Sequence, residues 1–411
     1  MFGPWSPFPG HYVDLVIDVV VIGGGPWGPD VNFPTHHTAR ILAQKHRVLY
    51  VYRDAHTSLA GQMLGRLPGF HSSHELLSHV FTRRRIDKVA PNLWVMPVSG
   101  LAAALPLSYP PLSRWLTAHI ISRQINWALL RLRFTKPLLW FYWWFYPEIV
   151  DRVAHAFAVY DIYDDHMEYD FVRDNRSRKR EAARQEQLLL NAVDLTFVVS
   201  NQLVITKHSP QRVVYLPNGV DTQTADRASR QPCPPDIAQL SRPIAGYLGS
   251  YDSRMDWDLV KAMARQTPDW SYVFVGGGYT APSDRPPNLH LMGNRDYTAA
   301  LSYVNCFDVA LIPFVRDALT DAICPAKLFD YLALGKPIIT TAIPAVLDIA
   351  CKANHVYVGN TAGDFVQLAR EALREDGNLS DARRALARNH TWQGRTDKAW
   401  RAIVVAMAEG S

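Results

Sequence analysis

Two short apolar runs, each ending in a glycine turn, set the tightest limit on how this chain can fold. The run 18–22, Asp-Val-Val-Val-Ile, meets Gly23-Gly24-Gly25, and the run 243–248 meets Gly249-Ser250. A short apolar run bounded by glycine reads as a strand buried on both faces, the form strands take in parallel sheets covered by helices. The alternation continues from each start. In the first half, strands are expected at 47–52, 93–96, 154–163, 195–199 and 213–216, with helices from about 35, over 111–134 and over 176–191. In the second half, strands at 270–275, 289–293, 309–313, 338–340 and 356–358 alternate with helices after 258, over 296–305, 364–374, 381–389 and 396–408. A loop is expected over 314–324. Such alternation in both halves implies an α/β protein with two doubly wound, Rossmann-like domains facing a cleft. At 411 residues the chain suits two cores better than one. The expected division is a first domain at 1–221, a polar linker at 222–241 holding Pro232, Pro234 and Pro235, a second domain at 242–390, and a closing helical segment at 391–411.

The chemistry is concentrated in 321–337. Pro325 fits the first turn of a helix, and Gly335 with Pro337 ends it. Lys327 then lies near the N-terminus, where free N–H groups and the positive end of the dipole favour an anion. Asp330 and Tyr331 lie about one turn further in. A nucleotide-diphosphate sugar has matching parts: a pyrophosphate for the lysine and helix end, and a ribose diol for the carboxylate. A second candidate is the formal Gly-x-Gly-x-x-Gly of Gly23, Gly25 and Gly28, which follows a strand as a dinucleotide fingerprint does. Pro26, Pro29 and Pro34 oppose it, because no helix can open on the last glycine and present its N-terminus to a pyrophosphate. An NAD(P)- or FAD-dependent oxidoreductase is thus the competing reading.

The residues of 321–337 resemble the donor-binding signature of retaining GT-B glycosyltransferases, in the teichuronic-acid-transferase-like branch that builds bacterial surface polysaccharides and exopolysaccharides. Pro325, Lys327, Tyr331, Ala333, Gly335 and Pro337 fit its pattern, Asp330 stands where the branch has glutamate, and Ala322 replaces an acid that the wider superfamily often carries. Pro217-Asn218-Gly219-Val220-Asp221 resembles the domain junction, and Tyr247 to Asp256 the start of the donor domain, with an arginine at Arg254 and an acid two residues on. The resemblance implies hexosyl transfer from UDP- or GDP-sugar to a glycan or lipid-linked acceptor, with no cofactor and no metal. It implies Lys327, Arg254, Asp164 and Asp165 as catalytic residues. Asp330, Tyr331, Pro325, Gly249, Gly276, Gly24 and Gly25 would bind the donor, and His36, His37 and His166 would face the acceptor. The last helix would cross back to the first domain. A GT-B-like protein that binds without catalysis is the remaining alternative.

Composition narrows the setting. The hydrophobic fraction is 48% and the charged fraction 20%, enough to bury a core. Net charge is +5, with basic clusters at 83–85, 114–136 and 173–184 that suit a polyanionic ligand or an anionic membrane surface, while a solvated face is the ordinary reading of any one alone. No nucleic-acid partner is expected. The helix at 111–134 has basic and tryptophan residues suited either to a membrane surface or to a core-facing helix. The aromatic run 138–146, between Pro137 and Pro147, is too short to span a bilayer and reads as a buried strand or an interfacial patch. The start of the chain, 1–22, has neither signal-peptide nor spanning character. Cys233, Cys306, Cys324 and Cys351 lack metal-ligand spacing and read as free thiols of a reducing compartment. A cytoplasmic protein, peripheral on the inner face of the membrane, fits these features.

Overall fold

The computed structural model describes residues 16–28, 33–53, 85–98, 111–351 and 355–409; the proline-bearing start of the chain, and Arg83 and Arg84 of the first basic cluster, lie outside them. The first sheet comprises β1 (Asp18–Ile22), β2 (Arg47–Arg53), β3 (Asp87–Ala90), β4 (Leu93–Val98), β5 (Leu138–Phe141), β6 (Phe157–Ile162), β7 (Leu195–Val198) and β8 (Arg212–Tyr215). Their order is β3-β4-β2-β1-β5-β6-β7-β8. All pairs are parallel except β3 with β4. The second sheet comprises β9 (Ile244–Leu248), β10 (Ser271–Val275), β11 (Leu289–Gly293), β12 (Val309–Ile312), β13 (Ile338–Thr340) and β14 (Tyr357–Val358), in the order β11-β10-β9-β12-β13-β14 and wholly parallel.

The central strands are apolar because helices cover both faces; every residue of β1, β5, β6, β10 and β12 is buried. In each sheet the strand order reverses beside the founding strand, between β1 and β5 and between β9 and β12. Such reversals open a crevice at the carboxyl ends of the strands. The founding strands end in Gly23 (φ +125°) and Gly249 (φ +136°), backbone settings that favour glycine.

Three sequence expectations change here. The stretch 222–241 is not simply a polar linker, since it folds into helices Thr222–Ser229 and Pro235–Ala238. Cys233 within it is disulfide-bonded to Cys306 (S–S 2.10 Å), which corrects the reading of four free thiols; Cys324 and Cys351 are free. The loop expected at 314–324 contains helix Ala318–Ala322, closed by a reciprocal cap between Asp317 and Thr320. The aromatic run settles the other way from an interfacial patch: Leu138 to Tyr146 are all buried.

Helix Pro111–Leu132 turns Ala118, Ile121, Ile125 and Ala128 into the core. The final helix, Trp392–Glu409, returns to the first sheet and packs Ala399 and Ile403 with Val19, Val21 and Leu42. It is pinned there by a buried pair in which Arg395 donates to both oxygens of Asp161, at 2.9 and 2.7 Å. No helix among the described residues is long and apolar enough to cross a membrane.

Candidate active site

Helix Ala326–Ala333 follows Pro325, which takes the extended cap position, and stops where Gly335 adopts φ +67°. Leu328, Phe329 and Leu332 anchor it in the core. Tyr331 anchors it as well: its hydroxyl accepts from Leu248 N–H at 2.8 Å and donates to Leu311 C=O at 3.4 Å, tying the helix to the ends of β9 and β12. Fully buried and not among the residues that line the cleft, Tyr331 positions the helix that carries Lys327 and Asp330.

The N-terminus of this helix opens onto a cleft of about 470 Å³ between the two sheets, lined by Pro325, Lys327, Asp330, Gly249 and Arg254 from the second body and by Asp164, Tyr163 and Phe33 from the first. Lys327 lies with its Nζ 4.9 Å from the centre of the Tyr247 ring and 4.8 Å from that of Phe314. Burial and then the neighbouring Arg254 pull its pKa down to about 7, against the opposing pull of Asp252, Asp330 and Asp164. Gly249 lies beside it at φ +136°, a backbone setting that disfavours any side chain, and a Cβ there would stand 3.0 Å from Lys327 Cε.

Arg254 is held by Asp252, to which its Nε donates at 2.9 Å, and its Nη1 lies 3.6 Å from Asp164 Oδ2 across the cleft. Burial lowers the guanidinium's pKa, but Asp252 and Asp164 outweigh it and keep the group cationic. Asp330 Oδ1 accepts from the Tyr297 hydroxyl at 2.6 Å. Burial pushes its pKa up to about 6, with the Tyr297 bond and Lys327 pulling the other way. The result is a guanidinium, a lysine that titrates near neutrality and a helix N-terminus around one cleft, with a carboxylate that Tyr297 engages through Oδ1.

The acidic end of β6 does not converge as a metal site would. Asp161 goes to Arg395. Asp164 accepts from the Tyr169 hydroxyl at 2.7 Å, and burial raises its pKa. Asp165 turns inward to Lys207 Nζ at 3.0 Å, which also donates to Glu186 at 2.8 Å. Asp165 is thus engaged by Lys207 behind Asp164, and of the two it is Asp164 that lines the cleft. Among the described residues no three His, Cys, Asp or Glu side chains gather to hold a metal ion.

No family model matches the sequence. TuaH of Bacillus subtilis (strain 168), whose name provisionally assigns it as a teichuronic acid biosynthesis glycosyltransferase, is 26% identical over 191 residues; the match covers 44% of this chain and only about half, 48%, of that protein. Among solved structures, an α,α-trehalose-phosphate synthase (UDP-forming) from Burkholderia vietnamiensis superposes with a TM-score of 0.67 at 12% identity, covering 98% of this chain and all (100%) of that one. A sucrose-phosphate synthase from Thermosynechococcus elongatus gives 0.61 at 14% identity, covering 96% and 98%. The two structural likenesses extend over nearly the whole chain. The fold is GT-B.

Within the GT-B frame the remaining expected residues separate. Gly276 (φ +141°) sits under the turn at Gly249: a Cβ there would meet Gly249 C=O at 2.1 Å, so it supports Gly249 and is not among the residues that line the cleft. Gly24 and Gly25 do not line it either. They border a second cavity of about 250 Å³ at the reversal point of the first sheet, together with His166. His36 is buried among Trp27 and Tyr50, with Nε2 3.2 Å from Pro26 C=O, apart from the residues that line the cleft. His37 stacks on Trp392 at 4.9 Å and lines a third space beside the domain junction, with Asp221 and Tyr297. Sequence reasoning missed Asp252, Tyr297, Phe314 and Trp392. Only Asp252, two residues from Arg254, carried a local signal; the others reach the site from separate elements.

Proposed function

We propose that this chain is a retaining glycosyltransferase that moves a hexosyl group from a nucleotide-diphosphate sugar, with UDP or GDP as nucleotide, to a glycan or lipid-linked acceptor, without metal or cofactor. The observation that supports it most is the convergence of Lys327, Arg254 and Asp330 on one cleft at the N-terminus of helix Ala326–Ala333. Cleavage of the sugar–phosphate bond builds negative charge on the departing diphosphate. Lys327 and Arg254 are placed to meet that charge, and fixed donors of this kind stabilise a transition state more than water does. Asp330 accepts from the ribose hydroxyls through the oxygen that Tyr297 does not occupy. Asp164 reaches in from the first body, where the hexosyl group would lie.

The E. coli structure described as bound with UDP-2-fluoro glucose shares the fold, with a TM-score of 0.64 at 10% identity over 94% of this chain and 98% of that one, and the TuaH match lies in the same chemistry. The retaining outcome follows the resemblance of the Pro325 to Pro337 motif. Against an oxidoreductase, the first helix opens at Pro34 and not on Gly28, so the glycine turn does not lead straight into a helix N-terminus as a dinucleotide fingerprint does. We place the protein in the cytoplasm, peripheral on the inner membrane face.

A thermal-shift panel of UDP, GDP, ADP and NAD(P) tests the reading. A ligand at 100 times its Kd adds about 2.7 kcal/mol to the folded state. UDP or GDP should raise the melting temperature; a shift with NAD(P) alone would overturn the proposal.

A further inference from the structure

We propose that the space beside the domain junction is a second small-molecule site, separate from the donor cleft, and that it takes a polyhydroxylated phosphate ester. It measures about 480 Å³ and lies where the chain passes between the two bodies. Both crossings form part of its wall: Val220 and Asp221 on the way out, Thr391 and Trp392 on the way back. Val220 N–H donates to His390 C=O at 2.9 Å and Trp392 N–H to Val220 C=O at 3.2 Å, which ties the crossings together. Helix Pro34–Leu42 contributes from the first body and the start of helix Tyr297–Asn305 from the second. Tyr297 and Trp392 also line the donor cleft; the other described wall residues do not.

The wall holds a partner for each part of such a ligand. Arg40 and Arg227 reach it from separate helices. Arg40 donates to Gly28 C=O at 3.1 Å and lies over the Trp27 ring, and Arg227 donates to Thr224 Oγ1 at 2.7 Å; neither forms an ion pair among the described residues. A guanidinium carries five N–H donors in a fork that matches phosphate oxygens, so both keep donors for a phosphate. Two carboxylates share the wall as helix caps: Asp221 accepts from Thr224 N–H at 3.1 Å and from its Oγ1 at 2.7 Å, and Asp296 Oδ1 accepts from Ala299 N–H at 2.9 Å. They suit hydroxyl donors, which a bare phosphate lacks. His37 is the independent sign of a ligand. It lines the space, is 8% exposed, and its Nε2 is buried without a hydrogen-bond partner. Burial pulls its pKa to about 4, so at neutral pH the ring is uncharged and suits a hydroxyl, which can both donate and accept.

The test titrates the full chain calorimetrically with sorbitol 6-phosphate, sorbitol and inorganic phosphate, with UDP or GDP present in excess to fill the donor cleft. Sorbitol 6-phosphate should bind at least tenfold more tightly than sorbitol or inorganic phosphate. Arg227→Gln, a change at an exposed side chain outside the cleft, removes a charge-assisted contact and should weaken sorbitol 6-phosphate about 10- to 150-fold. Arg40→Gln should act alike. Because the site touches both bodies, sorbitol 6-phosphate should also raise the melting temperature of wild type, and at the same concentration leave that of Arg227→Gln nearly unchanged. No binding, equal affinity for sorbitol and its phosphate, or wild-type affinity in Arg227→Gln would overturn the proposal. Nucleotide alone reports the donor cleft separately, and Arg227→Gln should keep the wild-type melting shift with UDP or GDP. If no nucleotide shifts wild type, the donor reading fails, while the titration of wild type against Arg227→Gln still decides for or against this site.

Discussion

Lys327 sits between two aromatic rings and beside a guanidinium, and its pKa of about 7 makes the charge state of the cleft sensitive to mild alkali. A bound diphosphate favours the ammonium form, so its affinity should be level from pH 6.5 to 7 and then fall up to about tenfold per pH unit as the free lysine loses its proton. The free protein responds in the opposite sense. Between pH 7 and 10.5 the unfolded chain holds a proton that the folded lysine has shed, so this group's contribution to stability rises with pH. Melting temperatures with and without nucleotide across that window should converge as pH increases; a constant gap would contradict the placement of Lys327 against the phosphates. Lys327→Ala should lower kcat roughly 10²–10³-fold with the circular dichroism spectrum unchanged. Asp330→Asn removes a charged acceptor while keeping the bond to Tyr297 within reach, so donor affinity should fall about 10- to 150-fold, mainly in KM. Equal binding of 2′-deoxy and normal nucleotide by wild type would show that the ribose is not read there.

At the scale of elements, two fastenings hold the site in register. Tyr331 joins its helix to the ends of β9 and β12, and Arg395 joins the final helix to β6 through Asp161. The second pair is almost wholly buried, with side-chain exposures of 2% and 0%. Removing one partner strands a charge. Arg395→Met should therefore destabilise the protein by about 3–5 kcal/mol, and adding Asp161→Leu should recover much of that loss, both read from urea midpoints. Because Trp392 at the start of the same helix lines the cleft, the single variant should also raise the KM for donor and speed amide exchange over 392–409. Full hydrogen-exchange protection of that helix in Arg395→Met would show that apolar packing alone holds it.

The two bodies meet through bonds that cross the cleft: Ser200 Oγ donates to Ala322 C=O at 2.6 Å, Asn218 Nδ2 donates to Cys324 C=O at 2.8 Å, and Arg173 lies 3.4 Å from Asp317. Asn218 and Arg173 thus join the segment 317–324, which leads into the Lys327 helix, to the first body. On the outer surface, helix Pro111–Leu132 leaves Trp115 and Leu130 exposed, at 44% and 81%, beside exposed Arg123 and Arg131. With the aromatic run buried, this helix is the remaining candidate for lipid contact, and each basic residue near an anionic surface adds about 1 kcal/mol. Co-sedimentation with anionic vesicles should exceed that with neutral ones at low salt and fall in Arg123→Glu/Arg131→Glu; identical partition into both would remove the membrane from the proposal.

The local features of this fold are legible in the amino-acid sequence alone. Short apolar runs ending in glycine form β1 and β9, Pro325 and Gly335 bracket their helix, and Pro34 sets where the first helix starts. Those outcomes depend on φ restrictions, missing N–H donors and hydrophobic spacing within a few residues. What tertiary structure decided was the direction of each side chain. Asp161, Asp164 and Asp165 lie close together in sequence yet go to three separate partners, because Arg395, Arg254 and Lys207 arrive from different elements. Tyr331 and Asp330 are adjacent, but a step of about 100° around the helix buries one and opens the other to the cleft. His36 and Gly276 carry residue types that suit a site and sit behind it instead. Local chemistry fixes which segments form; packing between distant segments fixes which of their side chains a ligand can reach.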